Sequence, residues 1–174
     1  MKNISIRKIT VNDINQLKKI GEQTFFETYS SGNSKKNMKE YLGNEFSIEK
    51  LKTELTNLNS EFYFAELKND PIGYLKINFN QAQTEIKDGN SLEIERIYVL
   101  NKFQGKKIGQ ILYEKVLEVS KQKNVAYVWL GVWEENPKAI RFYTKNGFVA
   151  FDKHTFTVGE DKQTDIMMKL KVNQ

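Results

Sequence analysis

The chain has 174 residues, of which 39% are hydrophobic and 28% are charged, and its formal net charge is +5. This length and composition predict one globular domain over residues 1–174 and exclude an intrinsically disordered chain. With no cysteine and one histidine, the sequence excludes disulfides and cysteine nucleophiles, and it argues against a metal site or a serine–histidine triad.

The sequence contains no apolar run of the ~18 residues that a membrane span needs, and its first ten residues form no apolar leader. We therefore expect a cytoplasmic protein without a membrane partner. The basic balance would suit nucleic acid, but the lysines and arginines are interleaved with acidic residues, and no recognition-helix motif is present. A nucleic-acid partner is not expected, and a DNA-binding regulator is kept as one alternative.

The N-terminal part of the sequence predicts one strand followed by helices. The first strand is expected over residues 5–9. Thr10, followed three residues later by Asp13, is typical of a capping box, and an amphipathic helix follows. The polar segment 27–46 is predicted to be a loop with a short helix around residues 35–42.

A further helix and three strands are predicted next. Ser47 is the expected N-cap of that helix, because its apolar stripe starts directly afterwards. The stripe is formed by Ile48, Leu51, Leu55 and Leu58. The turn Lys-Asn-Asp-Pro then separates two apolar runs and predicts a hairpin. The three strands are expected over residues 62–67, 72–79 and 92–100.

The C-terminal part predicts two helices and three strands. One helix begins near Ile108 and ends near Asn124. Asn136 is the expected cap of the other, Pro137 its first residue and Gly147 its left-handed end. The strands are expected over residues 126–133, 148–156 and 165–172. This order of elements is typical of an α+β domain with one central sheet.

The stretch QGKKIG, residues 104–109, lies between a predicted strand and a predicted helix. Amides at a helix N-terminus bind anions, helped by the helix dipole. Gly105 and Gly109 would let a ligand approach the backbone, while Lys106 and Lys107 add positive charge. By itself the stretch fits a phosphate-binding loop and a basic surface turn equally well.

The residues on both sides of this stretch, and a second segment downstream, resemble the motifs of a known family. The segment LEIERIYVLNKFQGKKIGQILYEKVL resembles the acetyl-coenzyme A (acetyl-CoA) motif of the GNAT (GCN5-related N-acetyltransferase) superfamily, which reads Gln or Arg, two residues, Gly, one residue, Gly or Ala. Gln104 opens this motif here and Gly109 closes it. Downstream, WEENPKAIRFYTKNGF resembles the second signature of the superfamily. The two blocks have the expected order and separation, and with the order of elements the resemblance covers nearly the whole chain.

One position departs from the signature. Lys107 stands where the superfamily has its middle glycine. If Lys107 adopts ordinary helical geometry, the substitution is harmless and adds charge. If its φ is positive, the interpretation as a pyrophosphate loop is strained.

The resemblance implies a mixed α/β fold: a mostly antiparallel twisted sheet of about seven strands, splayed between strands 4 and 5, with about four flanking helices. It implies transfer of an acetyl group from acetyl-CoA to a primary amine by direct attack in a ternary complex. No covalent intermediate is needed, so the lack of cysteine is no obstacle. The implied cofactor-binding residues are Ile97, Tyr98, Val99, Gln104, Gly105, Lys106, Lys107, Ile108, Gly109, Asn136, Ala139, Tyr143 and Lys145.

The resemblance also implies catalytic residues. Tyr143 matches the tyrosine near the coenzyme A sulfur, where a phenol can protonate the departing thiolate. Glu93 falls where some members keep a glutamate base. Glu95, two residues on, faces the same side of the strand, and neighbouring carboxylates can raise each other's pKa. Either glutamate could instead belong to a row of surface charges.

The acceptor is indicated by the two ends of the chain. TFFETY and HTFTVGEDKQTDIMM look like the PaiA-type branch, which is associated with acetylation of spermidine and spermine. The candidate acceptor-binding residues are Phe26, Glu27 and Tyr29, whereas His154 is expected to be structural or exposed. Acetylation of a protein lysine or N-terminus, and a CoA-binding module without catalysis, are the remaining alternatives. The expected assembly is a monomer or a homodimer.

Overall fold

A computed structural model describes residues 4–158 and 160–172. Within them one mixed sheet of seven strands has the order β1-β2-β3-β4-β5-β7-β6, and five α-helices flank it. The strands are β1 (Ile4–Lys8), β2 (Ser60–Leu67), β3 (Asp70–Phe79), β4 (Ser91–Val99), β5 (Tyr127–Trp133), β6 (Val149–Val158) and β7 (Asp161–Lys171). The helices are α1 (Ile14–Tyr29), α2 (Lys35–Glu45), α3 (Ile48–Thr56), α4 (Ile108–Gln122) and α5 (Pro137–Lys145).

The predicted helix starts are confirmed by their hydrogen bonds. The Thr10 hydroxyl accepts from the Asn12 amide at 3.3 Å, and the Asp13 carboxylate accepts from the Thr10 amide at 2.8 Å. These bonds cap a 3-10 turn, Val11–Asp13, that leads directly into α1. Ser47 caps α3 in the same way. Asn136 Oδ1 accepts from the Ala139 amide at 3.1 Å, with proline at the first helical position. These caps satisfy amides that a helix leaves without an internal partner, which is why they are visible in sequence.

Two predictions about the N-terminal helices were wrong. Residues 27–29 belong to α1 rather than to a loop, because Tyr29 stacks on Phe25 with ring centroids 4.3 Å apart and is buried with it. Leu58 does not continue the stripe of α3. The helix ends at Thr56, the next residue is extended, and Leu58 is 96% exposed. Buried aromatic packing extended α1, whereas Leu58, beyond the end of α3, stays exposed.

Both faces of the sheet are covered, which makes two apolar cores. Alternate residues of β2 divide between them: Phe62 and Phe64 pack with α1, α2 and α3, whereas Tyr63 and Ala65 pack with α4 and α5. Successive side chains of a strand point to opposite faces, so one apolar run serves both layers.

The sheet opens between its only parallel pair among the described residues. β4 and β5 are in register from Ser91 opposite Tyr127 to Ile94 opposite Leu130, although both strands run on beyond these pairs. On its other side β4 carries a bulge: Lys76 of β3 lies opposite Arg96 and Ile77 opposite Ile94, so that Glu95 is the extra residue. The predicted splay between strands 4 and 5 is confirmed, with five helices rather than about four.

Candidate active site

A cavity of about 410 Å³ lies in the opening between β4 and β5. The end of β4, the following loop, the end of β5 and the start of α5 form its walls. Most of the predicted cofactor-binding residues line it: Ile97, Tyr98, Val99, Gln104, Gly105, Lys107, Ile108, Gly109, Asn136, Ala139 and Tyr143. Lys106 and Lys145 are not among the lining residues, whereas Lys138 is one of them. We refer to this space as the cofactor cavity.

The loop that enters α4 has a left-handed backbone at two positions. Gly105 has φ +74° and Lys107, directly before the helix, has φ +64°. Gln104 holds the loop against the end of β4 through a hydrogen bond from its side chain to the Val99 carbonyl, at 3.2 Å. A side chain in left-handed geometry costs roughly 1–2 kcal/mol. Lys107 is therefore strained and its substitution for the middle glycine is not harmless, so the interpretation of the stretch as a pyrophosphate loop is strained at this position.

Tyr143 lies at the opposite wall, inside α5. Its ring packs edge-on against Phe142 and Phe148, with centroid separations of 5.3 and 5.5 Å. Burial, helped by the neighbouring Tyr98, raises the pKa of the phenol well above its usual value. Tyr143 therefore stays protonated at neutral pH, as a proton donor must.

A second cavity, of about 270 Å³, adjoins the first. The two share lining residues from α1, β4 and β5, among them Tyr29, Tyr98 and Gly131. The hydroxyl oxygens of Tyr29 and Tyr98 are 3.5 Å apart at this boundary. The two cavities therefore adjoin at these common residues.

The second cavity is lined by carboxylates and aromatic rings, and we call it the acidic cavity. Its acidic residues are Glu45, Glu85, Glu93, Glu95 and Asp165. Its aromatic residues are Phe25, Tyr29, Tyr41, Phe46, Tyr98, Trp129 and Phe156. Arg96 and His154 are the basic residues of this lining. Negative charge thus exceeds positive charge in its wall, although the whole chain is basic.

The acetyltransferase (GNAT) family profile matches residues 22–148. The chain is 36% identical to an uncharacterized N-acetyltransferase in the pepI 3′ region of Lactobacillus delbrueckii subsp. lactis, over 97% of this chain and 98% of that protein. This chain belongs to the GNAT family. It is thus an acetyl-CoA-dependent N-acetyltransferase, as the resemblance of its two motifs implied.

Two further relatives place this acetyltransferase near the PaiA branch, and both come from Thermoplasma acidophilum. A spermidine N(1)-acetyltransferase is 27% identical over 86% of this chain and 90% of that protein. The crystal structure of PaiA N-acetyltransferase in complex with coenzyme A superposes with a TM-score of 0.80 at 25% identity, covering 97% of this chain and 99% of that chain. The PaiA-like resemblance is therefore confirmed at the level of sequence and fold.

The two candidate base residues of the acetyltransferase lie in different electrostatic surroundings. Glu95 contacts Lys76 Nζ at 2.6 Å and Arg96 at 3.3 Å. Burial alone would raise the pKa of Glu95, but the charges of Arg96 and Lys76 outweigh it and lower the pKa to about 2. Glu95 is thus held ionised in a buried ion pair, which makes it a weak proton acceptor.

Glu93 is buried and fully engaged. Its carboxylate accepts from the Thr84 amide at 2.9 Å, from the Thr84 hydroxyl and from Asn78 Nδ2 at 3.0 Å. Burial raises its pKa, the hydrogen bonds from Thr84 and Asn78 oppose this, and the charge of Glu95 adds a smaller increase. The neighbouring charge therefore acts as expected on Glu93, whereas the pKa of Glu95 moves the other way. Through its hydrogen bonds to Thr84, Glu93 also holds the β3–β4 loop in the wall of the acidic cavity.

The three candidate acceptor-binding residues lie in different places. Tyr29 lines both cavities. Phe26 is 51% exposed, and Glu27 accepts from the Asn101 amide at 2.8 Å. Neither Phe26 nor Glu27 is in the lining of the two cavities. The helical period explains this, because Phe25 and Tyr29 lie four residues apart on the buried face.

Sequence reasoning missed Asp165 and assigned no site role to His154. Both lie in the acidic cavity, on β7 and β6, and His154 Nε2 is 2.9 Å from a Glu85 oxygen. An acidic residue in an alternating strand carries no local signal of such a role. Among residues 4–158 and 160–172 there is no cluster of three or more residues that could hold a metal ion. In the same residues no helix is both long and apolar enough to span a membrane.

Proposed function

We propose that this acetyltransferase acetylates a primary amine of a small polyamine such as spermidine or spermine. The observation that carries the proposal is the acidic cavity next to the cofactor cavity. Carboxylates raise the local concentration of cations, and aromatic faces attract ammonium groups within about 6 Å. A flexible chain with several ammonium groups fits such a lining.

The carboxylates of the acidic cavity support a cationic acceptor, because basic residues pair with only some of them. Glu45 and Glu95 contact Arg96, and Glu85 contacts His154. Glu93 and Asp165 have no ion pair with lysine or arginine in the described part of the chain. These two carboxylates leave negative charge uncompensated. The net charge of +5 opposes a polycation at long range, but screening confines that effect to about 8 Å.

Similarity supports the same acceptor class. The spermidine N(1)-acetyltransferase of Thermoplasma acidophilum aligns with most of this chain. That protein is named for its action on spermidine, and the acidic cavity gives a physical reason to extend the substrate class to this chain.

The cofactor cavity fits acetyl-CoA. In the proposed complex, the backbone of Ile97–Val99 pairs with the pantetheine arm, because the edge of β4 that faces β5 is unpaired beyond Ile94, whereas its other edge is paired with β3. Amides of the 104–109 loop bind the pyrophosphate, since the first amides of a helix have no internal partner. A side chain at Gly105 or Gly109 would meet no atom within 4 Å, so this side of the loop is open to a ligand.

The proposed reaction needs no covalent enzyme intermediate. The amine nitrogen attacks the thioester carbonyl carbon, whose oxygen is polarised by an amide near Val99. A C–N bond forms and the C–S bond breaks. Tyr143 donates its phenolic proton to the departing thiolate and regains one from solvent.

An amine panel tests the proposal. Coenzyme A release would be measured with spermidine, spermine, butylamine, a lysine peptide and a peptide with a free N-terminus. We expect kcat/KM for spermidine to exceed that for butylamine by at least ~10-fold, because the two further ammonium groups of spermidine gain from the acidic wall. Butylamine is the control, since it offers a primary amine without these further charges.

Other results would replace the proposal. A preference for either peptide would indicate a protein acetyltransferase. No release with any amine, despite acetyl-CoA binding, would indicate a binding module. Salt-sensitive retention on duplex DNA at physiological ionic strength would indicate a regulator.

A further inference from the structure

Asp165 lines the acidic cavity. On β7 it pairs with Trp133 of β5 and with His154 of β6. A Cβ atom built on Gly131 would be only 2.9 Å from Asp165 Oδ2. The carboxylate therefore lies directly against the backbone of Gly131, a residue that lines both cavities. Only glycine leaves room for it there.

The Asp165 carboxylate lacks the kind of partners that Glu93 and Glu95 have in the same cavity. Its Oδ1 atom is buried and has no hydrogen-bond partner in the described part of the chain. Such an orphaned acceptor costs about 1–3 kcal/mol, and buried polar atoms in native proteins are rarely left so. Glu93 and Glu95, by contrast, are occupied by hydrogen bonds and ion pairs. Asp165 Oδ1 can therefore accept a hydrogen bond from a donor group that enters the acidic cavity.

Burial, rather than the charge of its neighbours, favours proton uptake by Asp165. His154 faces it from β6, Tyr29 from α1 and Tyr98 from β4, while β5 presents no charged group. Burial raises the pKa of Asp165 to about 6, and the charge of His154 partly opposes this. The other charged lining residues are Glu45, Glu85, Glu93, Glu95 and Arg96.

We propose that Asp165 is the general base that takes a proton from the acceptor ammonium before it attacks the thioester. The assignment rests on the proposed amine acceptor, but not on the acceptor being a polyamine. It also moves the base from the glutamates of β4 to a residue of β7.

The proton steps balance. One N–H bond of the ammonium breaks, and its proton passes to Asp165 Oδ1. The freed lone pair forms the C–N bond while the C–S bond breaks. The nitrogen gives up a second proton to solvent, and the thiolate receives one from Tyr143. Asp165 then returns its proton to water and Tyr143 regains one from it, so the products are the amide, the thiol and one proton.

The test is the pH profile of Asp165→Asn. In the wild-type protein kcat/KM should fall as the pH is lowered, with an apparent pKa of about 6. We call this fall the acid limb. Asp165→Asn should lose that limb and about 10²-fold or more of kcat, while its acetyl-CoA Kd changes by less than about two-fold because the variant leaves the cofactor cavity intact. Glu93→Gln is the matched control and should retain the limb.

A direct titration separates a chemical role from a structural one. The ¹³C signal of the Asp165 side chain should titrate near pH 6 and shift when the amine is added. Thermal unfolding of Asp165→Asn should match or exceed wild type, since asparagine has the same shape and no buried charge. An acid limb and turnover retained in Asp165→Asn would overturn the proposal, and so would a carboxyl signal that no amine in the panel shifts.

Failure of the polyamine proposal can be told apart from failure of this one. If wild type acetylates butylamine or a peptide in preference to spermidine, the polyamine acceptor is rejected. The same comparison of wild type, Asp165→Asn and Glu93→Gln is then made with the preferred amine, and its acid limb decides the role of Asp165.

Discussion

The cofactor cavity and the acidic cavity are neighbours, yet they are built in different ways. The cofactor cavity comes mainly from two continuous stretches, the end of β4 with the 104–109 loop and the start of α5. Its features are backbone features: the unpaired edge of β4 beyond Ile94, left-handed residues and a helix start. The acidic cavity takes side chains from α1, α2, the β3–β4 loop and four strands. A site made of backbone leaves a motif, whereas a site made of scattered side chains does not.

The two cavities also differ in how their ionisable groups are stabilised. In the acidic cavity, Glu95 is compensated by buried cations and Asp165 is not. In the cofactor cavity, Tyr143 is kept neutral by burial. The contrast suggests that charge stabilises the acidic wall and packing stabilises the cofactor wall.

The largest effect is expected where that charge network is broken. Lys76 is buried and contacts Glu54 at 3.0 Å and Glu95 at 2.6 Å. Removing one partner of a buried ionic group costs about 3–5 kcal/mol, because the remaining charge is left uncompensated. Urea unfolding of Lys76→Met should show a loss of this size.

The matched control is Lys8→Met. Lys8 is exposed and lies 3.5 Å from Glu61, so the same substitution should cost less than about 1 kcal/mol. Equal losses in the two variants would show that the buried network does not stabilise the acidic wall.

An effect of intermediate size is expected at the cofactor wall. Tyr143→Phe removes the proposed proton donor without changing the packing of the ring, so kcat should fall about 10²-fold. Stopped-flow turnover and a separate binding titration should show that the Kd of acetyl-CoA stays within about two-fold of wild type.

Tyr113→Phe controls for the loss of a buried phenol. Tyr113 is buried between α4 and α5, packs against Phe142 and Phe148, and is not in the lining of the cofactor cavity. Its substitution should leave kcat nearly unchanged. If Tyr143→Phe also keeps full turnover, Tyr143 is not the acid.

The smallest effect is expected in the loop. Lys107→Gly relieves left-handed strain, although glycine also loses more backbone entropy on folding, so the net gain should be up to about 1 kcal/mol in chemical unfolding. Lys106→Gly changes the neighbouring lysine, whose φ is not positive, and should lower stability instead. Destabilisation by both variants would mean that the backbone of Lys107 is not strained.

Helix starts, the order of the elements and the phosphate-type loop could be predicted because each has a local cause. Thr10, Ser47 and Asn136 cap helical turns with their own side chains. The splayed sheet was implied by the resemblance to the GNAT superfamily. Prediction was wrong where distant packing decided, as at Tyr29, whose ring centroid lies 4.9 Å from that of Trp133 on β5 and which belongs to α1 beyond its expected end.

The sequence by itself determined the family, the cofactor loop and the order of the elements, because these depend on residues that are close together in the chain. The tertiary structure decided the electrostatics of the site. Glu93 and Glu95 look equivalent in the sequence, but the β4 bulge and the cations around it give them opposite pKa shifts. Asp165 had no local signal at all. It becomes a candidate base because β7 places it against Gly131, where burial raises its pKa and leaves one oxygen without a partner.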